Sequence, residues 1–66
     1  MEYMESNLEE EINIAPVITD EQYMQLKNHR HVGTGVVHDD GTYYEYWQLT
    51  DGSVVATERI VPKWMR

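Results

Sequence analysis

The spacing of apolar and polar positions changes character near residue 31. Downstream, runs rich in Val, Tyr, Thr and Trp are punctuated by Asp39-Asp40-Gly41 and Asp51-Gly52. Asp-Gly between β-forming runs marks hairpin turns. The pattern predicts a three-stranded antiparallel meander: Val32 to His38, Thr42 to Thr50, and Ser53 to Val61, stopped by Pro62. Upstream the period is helical. Thr19 and Gln22 have the form of a capping box, with Ile18 and Tyr23 at the staple positions. Asp20 and Glu21 suit the positive end of a helix dipole, and Lys27 and Arg30 the negative end. A helix over about residues 20–30 is expected, with a narrow apolar side of Tyr23, Leu26 and Met24.

The first residues support two patterns. Met1, Met4, Leu8 and Ile12 recur at helical spacing, and Ser6 with Glu9 resembles a capping box. Glu5 and Glu9 repel one another across one helical turn, with no base to offset them. Residues 1–11 therefore read as an acidic arm that becomes helical on contact, and residues 12–66 as one small domain. Ile12-Asn13-Ile14 alternates, so residues 12–15 are a candidate extra strand, limited by Pro16. The fold class is α+β: a short helix followed by a three-stranded antiparallel β-meander, with a candidate extra N-terminal strand.

Register decides the core. A two-residue type I′ turn at Asp51-Gly52 sets Leu49 opposite Val54, Trp47 opposite Ala56 and Tyr43 opposite Ile60. Trp47, Leu49, Val54, Ala56 and Ile60 then form one apolar side against the helix. Tyr44, Tyr46, Gln48, Thr57 and Arg59 lie on the other side, and Glu45 faces Glu58 unfavourably. A three-residue turn with a Gly bulge removes that clash and exchanges the faces of the third strand. Hydrophobic segregation favours the first register. In both, Tyr44 and Tyr46 share one face and Trp47 takes the other.

Charge adds an asymmetry. The net charge is −7. Residues 1–21 hold Glu2, Glu5, Glu9, Glu10, Glu11, Asp20 and Glu21 and no Lys or Arg, while residues 22–66 hold five acids and five bases. An acidic front end repels phosphates and attracts basic protein surfaces. Nucleic acid is therefore a poor partner, and a protein with a basic surface a good one. Sixty-six residues without cysteine permit only a thin core, so self-association is also expected. No apolar run approaches membrane-spanning length, and the acidic start is unlike a signal peptide. The expected setting is the cytoplasm.

Candidate chemistry is sparse, and no catalytic residue, metal site or cofactor is assigned. His29 and His31 would share a face only on a strand, and they fall where the helix is expected to end. Asp39 and Asp40 suit turn bonding. Neither serine has a glycine elbow, and Gly33-Thr34-Gly35 lacks the residues of a phosphate loop. Those glycines are expected to make room for an aromatic ring. Trp64 and Met65 are expected to plug the open end of the core. The expected function is protein binding through Glu2, Glu5, Glu9, Glu10, Glu11, Tyr44, Tyr46 and Arg59. Its sharpest form is inhibition of a nucleic-acid-handling protein by a DNA-mimicking surface, because carboxylates one helical turn apart lie about 5–6 Å from each other. The alternatives are an oligomeric accessory protein using the Tyr face and sheet edges, and a single-strand nucleic-acid or peptide reader.

Asp39-Asp40-Gly41-Thr42-Tyr43-Tyr44-Glu45-Tyr46 is similar to a hairpin in the very short phage-encoded inhibitors of uracil-DNA glycosylase. The resemblance implies an acidic, dimeric DNA mimic. It covers eight residues. Those inhibitors place their helix after the hairpin, whereas here the expected helix precedes it and a third strand follows. No functional residue is carried over.

Overall fold

The computed structural model describes residues 7–65. The elements run α1 (Leu8–Asn13), β1 (Val17–Ile18), α2 (Asp20–Met24), β2 (His29–Thr34), β3 (Thr42–Leu49), β4 (Val54–Ile60) and a 3₁₀ turn at Lys63–Met65. The sheet is mixed, in the order β1-β4-β3-β2, with β1 parallel to β4 and the other pairs antiparallel. This is a small α+β fold with a four-stranded sheet and two short helices.

Both hairpins are built the same way. In each, an Asp side chain accepts from the backbone N–H and the hydroxyl two residues on. Asp40 Oδ1 takes Thr42 N–H at 3.0 Å and Thr42 Oγ1 at 2.6 Å; Asp51 Oδ1 takes Ser53 N–H at 2.9 Å and Ser53 Oγ at 2.6 Å. Gly41 and Gly52 follow with φ of 89° and 92°, where a Cβ is strained. Leu49 N–H then bonds Ser53 O, and His38 N–H bonds Thr42 O, leaving three-residue loops. A type I′ turn would need Asp51 at positive φ, and among the described residues only glycines adopt it. The expected two-residue turn is thus replaced by the three-residue turn with a Gly bulge.

The one-residue shift redistributes β4. Tyr46 faces Ala56, Gln48 faces Val54 and Tyr44 faces Glu58; Trp47 faces Val55, Glu45 faces Thr57 and Tyr43 faces Arg59. Glu45 and Glu58 no longer meet. The single apolar side expected from the sequence is divided. Val54 and Ala56 are buried on the Tyr46 side, Trp47 lies on the other, and Ile60 is 60% exposed. Arg59 lies on the Trp47 side, away from Tyr44 and Tyr46.

Each side has its own helix. Tyr23 of α2 lies 4.9 Å from Trp47, ring to ring. On the Tyr46 side, a Cβ at Gly33 would meet Ile12 of α1 and the Tyr46 ring at 3.7 Å, and one at Gly35 would meet the Tyr46 hydroxyl at 3.6 Å. The tyrosine ring thus lies across both glycines, as expected from their spacing.

Helix α2 is shorter than expected. Thr19 and Gln22 do form the capping box, but the helix ends at Met24. His29 and Arg30 instead enter β2 opposite Leu49 and Gln48. A short helix with a narrow apolar side loses to a strand that gains cross-strand partners. β2 accordingly starts earlier than Val32 and stops at Thr34. Residues 12–15 form no strand. α1 runs to Asn13, and the added strand follows Pro16, whose carbonyl accepts from Ala56 N–H. Asn7, not Ser6, caps α1, accepting from Glu10 N–H at 3.3 Å. Glu2, Glu5 and Ser6 lie outside the described residues.

The turn aspartates carry a pH dependence. Asp40 and Asp51 are held below the usual carboxylate range, first by the Thr42 and Ser53 hydroxyls and then by the backbone N–H of the same residues. A depressed folded-state pKa contributes stability that is present above the unfolded value and lost as pH falls through the folded one. Chemical denaturation from pH 6 downward should show stability falling below about pH 4, less steeply in Asp51→Asn. Gly52→Ala should cost about 1–2 kcal/mol by urea unfolding.

Candidate functional site

Three surfaces matter, and the first belongs to α1. Asn7 starts the helix, so Glu9, Glu10 and Glu11 occupy its first turn, where carboxylates favour the dipole. Glu9 and Glu10 are exposed and Glu11 is half-buried. None of the three takes an ion-pair partner among the described residues. By contrast, the Arg59 guanidinium bonds Asp20 Oδ1 at 2.6 Å and lies 3.7 Å from Glu45. The bond to Asp20 pushes its pKa further up, despite some desolvation. Arg59 also lies over the Tyr23 ring, 5.6 Å from its centroid. It ties α2 to the sheet, and its charge is used internally.

The second surface is the tyrosine face. Tyr46 is half-buried beneath Ile12 and over the glycines. The Tyr44 hydroxyl donates to Glu58 at 3.4 Å, and its ring meets His38 edge-on at 6.5 Å. Gln48 is buried, accepts from Arg30 Nε at 2.8 Å, and donates to Gly52 O at 3.4 Å. Much of this face is interior to the chain. Of the expected site residues the structure describes, Glu9, Glu10 and Glu11 stand together, Tyr44 and Tyr46 stand together elsewhere, and Arg59 joins neither group.

The third is a ring cluster that sequence reasoning missed. His29 and His31 share the Trp47 face of β2, with centroids 5.3 and 5.2 Å from the indole. Reading His29 as helical hid this parity. His29 Nε2 lies 3.1 Å from Tyr23 Oη, while its Nδ1 is buried without a partner among the described residues. His31 Nε2 lies 3.1 Å from Thr34 Oγ1. Trp47 Nε1–H donates to the buried Thr57 hydroxyl at 2.9 Å. Among the described residues no three His, Asp or Glu side chains converge on a metal position, and no pocket opens. The cluster fastens α2 to the sheet by packing Tyr23 against His29 and Trp47, while the Trp47–Thr57 bond ties β3 to β4.

Trp64 and Met65 do not plug the core: they are 83% and 60% exposed. The 3₁₀ turn that carries them projects beyond β4. No helix among the described residues is long and apolar enough to cross a membrane.

Thr57→Val keeps the shape of the buried side chain and orphans the indole N–H. It should cost about 1–3 kcal/mol, read by urea unfolding followed through tryptophan emission. A loss below roughly 0.5 kcal/mol would mean the bond contributes little.

Searches against protein-family models, curated proteins and solved structures found no match to this chain.

Proposed function

We propose that this chain is a non-catalytic protein-binding module whose acidic front end engages a basic surface. In its sharpest form it inhibits a nucleic-acid-handling protein by occupying the site for the phosphate backbone. The observation that carries this reading is the state of the α1 carboxylates. Glu9, Glu10 and Glu11 have no basic partner among the described residues, while Asp20 and Glu45 are engaged by Arg59. Three neighbouring carboxylates on a short helix offer a basic groove the sign of a phosphate backbone.

The aromatic reader is the weaker alternative, because Tyr46 is largely covered and the net charge opposes phosphate. The accessory reading gains support from a different feature. Among the described residues only Val54 and Ala56 are buried apolar residues, while Ile14, Val17, Met24, Val36, Val37, Ile60, Trp64 and Met65 are each more than half exposed. Such a distribution favours association with another surface.

The test is capture of proteins from a cell lysate on the immobilised chain, beside the variant Glu9→Lys/Glu10→Lys/Glu11→Lys. Bound proteins should be basic and displaced by duplex DNA. Their affinity should fall on the order of tenfold or more between low and moderate salt, and the variant should lose them. Capture indifferent to salt, DNA and the variant would overturn the proposal.

A further inference from the structure

We propose that the chain forms a reciprocal dimer in which the C-terminal turn of each copy docks on the α1–β1 surface of the other. The turn presents Lys63, Trp64 and Met65, with Ile60 just before it; Trp64 is 83% exposed and Ile60 and Met65 are 60% exposed. A tryptophan is a strong anchor and a costly side chain to leave in water. The α1–β1 surface presents Ile14, 68% exposed, and Val17, 58% exposed. Glu10 stands one helical turn before Ile14, whose N–H bonds its carbonyl.

Charge selects the occupant. The turn is basic and the α1–β1 surface is acidic, and neither Lys63 nor Glu9 and Glu10 take an ion-pair partner among the described residues. Two turns would repel one another through Lys63, and two α1 helices through their glutamates, so like-to-like docking is disfavoured. Crossed docking pairs each apolar patch with the other and each charge with its opposite. A two-fold axis makes the contact twice and closes the assembly.

The sheet edge at β2 is a poorer route. Its register slips between His31 and Gly33. It slips again beyond: Gly35 N–H bonds Tyr44 O and His38 N–H bonds Thr42 O, three steps on one strand against two on the other. Bulges of this kind discourage edge-to-edge pairing.

Sedimentation of the full chain over a concentration series is the direct test, with thermal melts confirming that each variant folds. The wild type should pass from monomer to dimer. Trp64→Ala and Ile14→Ser should each weaken the dimer at least about tenfold. Lys63→Glu alone and Glu9→Lys/Glu10→Lys alone should weaken it too. An equimolar mixture of those two charge variants should regain a heterodimer, because both of its contacts are complementary again. A wild type that stays monomeric to about 100 µM, a dimer indifferent to Trp64→Ala, or a mixture that fails to re-form would each overturn the proposal. The dimer covers Glu9 and Glu10 and so competes with a basic target for them; Trp64→Ala and Ile14→Ser leave both carboxylates in place, so loss of the dimer in these variants with target capture retained separates the two outcomes.

Discussion

Two aspartate-to-hydroxyl turns fix everything that follows. An Asp side chain that captures the hydroxyl and N–H two residues on holds itself at negative φ, and the glycine between takes the left-handed position. Each loop must then hold three residues rather than two. Because strand side chains alternate, that single residue in the Asp51–Gly52 loop determines the side of the sheet on which every β4 residue falls.

The outcome is two thin half-cores in place of one. Val54 and Ala56 pass beneath α1 with Tyr46 and Gln48, while Val55 and Thr57 stand with Trp47 beneath α2. Thr57 and Gln48 are buried as completely as the two apolar residues. Both have hydrogen-bond partners, as burial of polar groups requires. Short helices close the two sides, and each is capped by a polar side chain: Asn7 for α1 and Thr19 for α2. With so little apolar volume inside, Ile14, Val17, Ile60, Trp64 and Met65 remain outside, where they are available to another surface.

The places of the turns, the opposite facing of Tyr46 and Trp47, the Thr19 cap and the room that Gly33 and Gly35 leave for an aromatic ring were legible in local chemistry. The register was not. Hydrophobic segregation favours the shift that gathers Val54, Ala56 and Trp47, and the hold of Asp51 on the Ser53 N–H and hydroxyl outweighs it. The extent of α2 was misread because Lys27 and Arg30 suit a helix C-terminus, yet Arg30 is held by Gln48, eighteen residues along the chain. The pairing of His29 and His31 around Trp47 followed from that strand start and was hidden with it. The parallel strand after Pro16 depends on a carbonyl reaching Ala56, a long-range contact with no local signature. Of the candidate site, the α1 carboxylates were visible as charge, but the engagement of Arg59 by Asp20 was not.

The division of β4 between two faces is the claim on which both the fold and the exposed surfaces rest. Nuclear Overhauser contacts across the β3–β4 hairpin test it most directly. Tyr46 should be directly opposite Ala56, with Ile12 methyl protons close to the Tyr46 ring. Direct pairing of Trp47 with Ala56 and of Tyr43 with Ile60 would contradict the account.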